Sequence, residues 1–221
     1  YRPLRAEALA VGTGGFIGRW DGANLSRVSS GSIGNSFLTL AWHRDAGGVG
    51  DYAYAAGANL VGRIDPPGTV STTTRIGTFF GVAFLGDDVW LVGDPRQIAF
   101  YDSALGIWDN LTLPSAFNTA HLARAVSDPA GGRILVVGNQ TLSAFVNRSR
   151  ILRFDTGFLV PFTGVEYNPQ TEEPLYFGGS SVAFTMREGV FPNLAPTAAI
   201  SSPAAGSNWT TADTVFFDAS A

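Results

Sequence analysis

Val89-Trp90-Leu91-Val92-Gly93, followed closely by Ile98-Ala99-Phe100-Tyr101-Asp102, is a phrase that this chain repeats. Apolar runs ending in glycine recur at Ala8–Gly12 (ALAVG), Tyr52–Gly57 (YAYAAG), Val89–Gly93, Ile134–Gly138 (ILVVG) and Leu175–Gly178 (LYFG). Their glycines lie 45, 36, 45 and 40 residues apart. After each comes a second short strand, such as Phe16–Asp21, Leu60–Asp65, Leu142–Phe145 or Val182–Thr185. In the first three copies an Asp (Asp21, Asp65, Asp102) closes that strand, as a turn-former should.

Before the glycine runs lie Phe37–Trp42, Gly81–Leu85, Leu122–Val126 and Gly164–Tyr167. Turn clusters follow three of them: Asp45-Ala46-Gly47-Gly48, Asp128-Pro129-Ala130-Gly131-Gly132 and Asn168-Pro169-Gln170-Thr171. A more polar strand closes the unit at Thr69–Ile76, Gly106–Leu113 and Ser149–Asp155. The order is strand A, turn, strand B ending in glycine, strand C, polar strand D. A period near the roughly 40–45 residues of a propeller blade predicts an all-β chain of stacked four-stranded meanders. Strand B is apolar throughout because both blade faces are covered, and the Thr72–Arg75 stretch protects an outer edge. Evenly spaced hairpins also build a β-sandwich, but the in-register turn after strand A favours the propeller.

Composition agrees. Charged residues are 14% of the 221-residue chain, against roughly 25% in an average soluble domain. The 27 glycines argue against helix bundles, and 16 Phe, 6 Tyr and 5 Trp argue against disorder. A net charge of −4 gives no reason to expect a nucleic-acid partner. With no cysteine there is no disulfide framework, no Cys-ligated zinc and no thiol chemistry. All 14 basic residues are arginine, a compositional drift without a mechanism attached. Gly189–Ala212 is the longest uncharged stretch; Pro192, Pro196 and Pro203 break it, so no membrane span is expected.

Leu9-Ala10-Val11-Gly12-Thr13-Gly14-Gly15-Phe16-Ile17-Gly18-Arg19-Trp20-Asp21-Gly22 resembles the "VGxGGxIxxYDG" repeat of secreted bacterial and archaeal β-propellers. Later copies are similar to kelch, WD and YVTN-type blades in strand and turn pattern alone, over about residues 1–190. The Asp-box of sialidase-type propellers is absent.

From Gly189 the composition changes. Pro192-Asn193-Leu194-Ala195-Pro196, Ser202-Pro203-Ala204-Ala205-Gly206 and Val215-Phe216-Phe217-Asp218-Ala219-Ser220-Ala221 resemble, in order, the opening of a polycystic-kidney-disease-type (PKD) immunoglobulin-like domain. The domains expected are therefore a propeller over 1–190 and a linker plus the first strands of a β-sandwich over 191–221. The resemblance implies that the polypeptide continues beyond Ala221. Either Tyr1–Glu7 and the Val190 region close one blade together, or further blades precede the chain.

Catalytic signals are thin. Two histidines, His43 and His121, cannot make a three-His metal site and read as turn or packing residues. Asp87-Asp88 and Glu172-Glu173 read as solvated charges in A–B turns, since adjacent strand residues face opposite ways. No G-x-S-x-G elbow, P-loop or EF-hand loop occurs, and no cofactor or metal is expected. Binding on the channel face is the expectation instead. Candidate residues are Asn59, Asp94, Arg96, Gln97, Asn139 and Gln140 of the B–C loops, with Trp42 and Trp108 for stacking; Trp20 and Trp90 read as blade packing.

Asn24, Asn110, Asn139, Asn147 and Asn208 begin glycosylation sequons. The sequence thus predicts a non-catalytic secreted or cell-surface platform for a glycan or protein ligand. The competing readings are a secreted polysaccharide hydrolase or lyase and a structural subunit of a surface assembly.

Overall fold

The computed structural model describes residues 7–28, 35–43, 51–65, 68–94, 97–111, 122–128, 132–138, 142–147, 150–155, 161–168, 170–178 and 183–185, the backbone alone for 142–147, 150–155 and 183–185. All belong to one unit, Tyr1–Met186. The PKD-like tail, His121, Arg96, Asn139, Gln140 and Asn208 lie outside the described residues.

The described chain is β throughout apart from a 3₁₀ turn at Thr13–Gly15. The first sheet is β1 (Ala8–Val11), β2 (Ile17–Trp20) and β3 (Leu25–Arg27). A six-stranded sheet follows, from β4 (Phe37–Trp42) through β5 (Ala53–Asp65), β6 (Thr69–Leu85), β7 (Asp88–Asp94) and β8 (Gln97–Asp102) to β9 (Ile107–Asn110). Next come the sheet of β10 (Leu122–Asp128), β11 (Arg133–Gly138), β12 (Leu142–Asn147) and β13 (Arg150–Asp155), then that of β14 (Phe162–Asn168), β15 (Glu173–Gly178) and β16 (Ala183–Thr185). Every pairing is between sequence neighbours and antiparallel.

The six-stranded sheet is two blades. β5 doubles back at Asn59, whose φ is 56°. The Arg63 guanidinium sits 4.2 Å from the Tyr52 ring, impossible for an eleven-residue straight run rising about 3.3 Å per residue. The first half of β5 therefore serves as strand B beside β4, and the second as strand C beside β6. β6 changes partner at Gly77 (φ 132°), and Thr78 bridges to both Ala58 and Asp94, joining the two meanders.

Among the described residues the core forms four layers, each between consecutive blades. Along strand B, alternate residues enter different layers. Val89 and Leu91 pack with Tyr54 and Val82, whereas Trp90 and Val92 pack with Ile134 and Val136. Likewise Ile134 and Val136 face back while Leu135 and Val137 face forward to Phe162 and Tyr176. This is why strand B shows no apolar–polar alternation: each side of the pleat meets a neighbouring blade. The outer strands are solvated, with β3 and most of Thr69–Arg75 exposed.

The repeated glycine has a cause that spacing alone does not reveal. Phe37 pairs with Gly57, Phe79 with Gly93, Leu122 with Gly138 and Phe162 with Gly178, and in all four a β-bulge follows immediately. At Gly57 and Gly93 a Cβ would collide with the carbonyl oxygens of Ser36 and Thr78, and would lie 2.9 and 2.7 Å from the Cα atoms of Phe37 and Phe79. Strand A enters against the end of strand B so closely that no side chain fits there.

The aspartates closing strand C behave as the sequence predicts in two blades. Asp21 Oδ1 accepts from the backbone N–H of Ala23 and Asn24 at 3.0 and 2.8 Å, and these bonds hold its carboxyl below the usual range. Asp102 Oδ1 accepts from Ala104 and Leu105, each at 3.0 Å. Asp65 differs: its carboxylate takes the Arg63 Nε–H at 2.9 Å, and its carbonyl caps the turn through Gly68.

Two expectations need correction. Asp88 is not a solvated turn charge: it is 7% exposed, and its Oδ1 accepts from both the backbone and the hydroxyl of Ser103 at 3.0 Å. Trp20, read as blade packing, is 39% exposed beside exposed Leu25, because only the outer end of the first blade covers it. Trp90 is fully buried, stacked on Phe100 with centroids 5.1 Å apart.

Candidate functional site

The first strands of successive blades, β4, the second half of β6, β10 and β14, lie side by side and line a cavity of about 580 Å³. Its wall runs over Thr39–His43, Val82–Phe84 with Gly86, and Arg124–Ser127, and ends at Glu166. Gly81 sets the inner spacing. A Cβ there would lie 2.7 Å from the Ala125 nitrogen and 3.0 Å from the Arg124 carbonyl carbon, so β10 packs backbone against backbone on β6.

The shared bulge puts the inner strands in one register. Counting from the glycine-facing residue, Thr39, Gly81, Arg124 and Gly164 occupy the next paired position, and Ala41, Ala83, Val126 and Glu166 lie two further on. Arg124 and Glu166 are both exposed, and among the described residues neither makes an ion pair or hydrogen bond. Much of the rest of the lining is apolar: Leu40, Ala41, Trp42, Val82, Phe84 and Val126.

At the A–B turn end, His43 is 7% exposed and stacks on Tyr52 with ring centroids 4.5 Å apart and planes 8° apart. Its Nε2 lies 3.0 Å from Asp87 Oδ1 on the next blade. An ionised carboxylate only accepts, so Nε2–H is the donor in this contact. The ring's Nδ1 is buried without a hydrogen-bond partner among the described residues. His43 is thus a packing histidine that also lines the cavity, and Asp87, 74% exposed, is the solvated turn charge the sequence predicts, with His43 as its partner. Burial pushes the Tyr52 phenol up to about 12, helped by Asp87 and opposed by the Arg63 guanidinium.

Of the residues singled out in the sequence, Trp42 lines this cavity. Trp108 lies elsewhere, between blades, 6.3 Å from Tyr54 and 5.4 Å from Tyr101, with the Arg75 guanidinium 5.2 Å from its ring. Asn59, Asp94 and Gln97 cluster at the opposite, B–C end. Asn59 is exposed and its Oδ1 accepts from the Gly77 N–H at 2.9 Å; the Gln97 amide lies over Gly77, where any Cβ would strike it; Asp94 is half-buried. Among the sequons, Asn24 is exposed in the β2–β3 turn. Asn110 is exposed at the end of β9, taking an Arg75 N–H at 3.1 Å, and Asn147 ends β12. Sequence reasoning placed binding on loops and missed the inner-strand charges. Arg124 and Glu166 could have been found by aligning the four A strands on their bulge, which spacing does not expose.

No family model matches the chain, and no curated protein does. Solved structures do. The β-propeller domain of Cps50 (Swd1) from Myceliophteria thermophila aligns with TM-score 0.65 at 13% identity, over 80% of this chain and 62% of that one. YCF48 bound to a D1 peptide aligns with TM-score 0.62 at 15% identity, over 82% and 60%. Virginiamycin B lyase from Staphylococcus aureus aligns with TM-score 0.59 at 12% identity, over 81% and 68%. The chain spans 60% of the length of YCF48 and 62% of the Swd1 domain, less than two thirds of either. Identities this low speak to fold alone, and with the repeated meanders they establish it: the chain has a β-propeller fold.

Proposed function

We propose that this protein is a non-catalytic binding platform whose ligand is a protein segment seated in the cavity ringed by β4, β6, β10 and β14. The observation that carries the reading is the cavity itself, about 580 Å³, walled largely by apolar side chains with two charges of opposite sign that have no ion-pair partner among the described residues. Such a mixed lining suits polypeptide, which brings apolar, ionic and hydrogen-bonding groups together. The fold fits this use: YCF48, which shares it, is seen with a peptide bound.

The hydrolase or lyase reading rests on His43 and on one similar structure being a lyase. It ranks second because the described lining offers one carboxylate, Glu166, where sugar cleavage commonly uses a pair. A secreted or surface location rests on the PKD-like tail phrases and the sequons, and the tail is read as a spacer or adhesive module. Glycan binding and a role as an assembly subunit are the remaining readings of the same platform.

The test is to probe the 221-residue chain on a peptide array and a glycan array, beside an Ala41→Phe variant that fills the cavity. Peptide binding lost in Ala41→Phe is the expected result. Glycan binding without peptide binding, or peptide binding indifferent to Ala41→Phe, overturns the proposal.

A further inference from the structure

Resting on the proposed peptide site, we infer that the cavity selects an extended peptide carrying an acidic and a basic side chain two residues apart. Arg124 and Glu166 stand on adjacent inner strands, β10 and β14, in equivalent frames set by the shared bulge. Arg124 occupies the first paired position after the bulge and Glu166 the third, so Glu166 lies two residues deeper toward the A–B turns. At about 3.3 Å per residue that offset is roughly 7 Å along the strands.

An extended ligand has the same rise, and its residues i and i+2 project to the same side about 7 Å apart. A carboxylate opposite Arg124 and a cation opposite Glu166 therefore match an acidic-x-basic tripeptide running along the channel.

One further observation favours an occupant that brings both charges with it. Arg124 and Glu166 each lack an ion pair among the described residues although both line one cavity, so neither charge is neutralised by its neighbour. The apolar side chains of Trp42, Val82 and Phe84, on the strands beyond β10, complete the lining.

Opposed charges also set direction. The acidic residue sits nearer the B–C end and the basic one nearer the A–B end, so one chain polarity is preferred over its reverse.

The experiment uses fluorescein-labelled decapeptides of one composition with Glu and Arg at i,i+1, i,i+2 or i,i+3 and in both orders, titrated against the whole chain by anisotropy. The i,i+2 peptides are expected to bind at least about tenfold tighter than the others, a difference of 1.4 kcal/mol. Arg124→Glu should remove that preference. Arg124→Glu with Glu166→Arg should restore it, with the bound peptide's direction reversed. Arg124→Gln serves if the reversal disturbs folding, as judged by thermal melting.

Peptides that bind equally at every spacing, or as well to Arg124→Glu, overturn this inference and leave the peptide platform standing. No peptide bound at all overturns both.

Discussion

Two neighbouring contacts in this molecule are built from opposite faces of the same strand and share almost no chemistry. On one face of β7, Val89 and Leu91 belong to the layer between the second and third blades. That layer also holds Tyr54 and, at its margins, Tyr52, Tyr101 and Trp108, with His43 and Arg63 against Tyr52. On the other face, Trp90 and Val92 meet Ile98, Phe100, Leu122, Ile134 and Val136, and the one buried charge on that face of β7, Asp88, is tied to Ser103 beyond the apolar run. The dry layer depends on packing, so its cost of disruption is set by volume. The aromatic layer is held at its rim by His43–Asp87 across blades, by Arg63 over Tyr52 and by Arg75 over Trp108, each partly solvated. Burial binds the blades in both. The cation–π contacts and the His43–Asp87 pair gather in the aromatic layer, while both layers reach the cavity, one through Val82 and Phe84 and the other through Ala83 and Ala125.

The largest effect should come from the dry layer. Trp90→Ala empties a fully buried site and should cost about 3–5 kcal/mol, read by urea unfolding. His43→Ala should cost less, about 1–3 kcal/mol, since it removes one hydrogen bond and a stacked ring from a layer whose aliphatic centre survives. Equal costs would mean that the rim contacts matter as much as the packing, and the contrast would collapse. Comparable to His43→Ala is Gly93→Ala, where the new methyl meets the Thr78 carbonyl and the Phe79 Cα, both backbone. A loss of about 1–3 kcal/mol is expected from overpacking, without any change in the layers' composition. An unchanged midpoint in the denaturation curve would show that strand A can shift outward, and that the glycine repeat is not steric in origin.

How much of this was legible beforehand follows from what kind of contact each feature is. The blades could be read because strand B carries the information locally: in Val89–Gly93 every residue is apolar and the run ends where the next strand A comes too close for a side chain. Asp21 and Asp102 could be read for the same reason, since their turns close within three residues. Asp88 could not. Its partner is Ser103, fifteen residues away, and nothing in the pair Asp87-Asp88 tells which carboxylate is buried. The cavity charges were hidden for a similar reason. Arg124 and Glu166 are 42 residues apart and become neighbours only through the register that the bulges impose. Trp42 and Trp108 looked equivalent as sequence, yet one ends an inner strand and the other sits on an outer one.

The aromatic layer also predicts a pH response that the dry layer lacks. The Tyr52 phenol titrates near 12 in the folded chain, against about 10 in an unfolded one, because burial disfavours the phenolate. Its neutral form is therefore favoured by folding. The stability it contributes is complete below about pH 10 and is lost as pH rises from there toward 12. Tyr54 is raised too, for the same reason, and adds to the fall. Tyr52→Phe should flatten the alkaline end of a stability profile measured by urea midpoints, and Asp87→Asn should bring tyrosinate absorbance on earlier, since Asp87 helps hold that pKa up. A Tyr52→Phe profile that still falls as steeply would assign the alkaline loss elsewhere.

The smallest effect belongs to the outermost rim contact. Arg75 reaches from the second blade to the Trp108 ring, 5.2 Å away, and donates to Asn110 Oδ1 at 3.1 Å. Asn110 is exposed, so both contacts compete with water and Arg75→Ala should cost about 0.5–1 kcal/mol. Salt separates the two kinds of layer here. Raising ionic strength screens the cation at an exposed rim but leaves aliphatic packing untouched. The Arg75→Ala deficit should therefore shrink in high salt while the Trp90→Ala deficit stays constant. If the Arg75 deficit persists unchanged, its stem is packing on Trp108 as an apolar surface, and the rim of the aromatic layer works by burial just as the dry layer does.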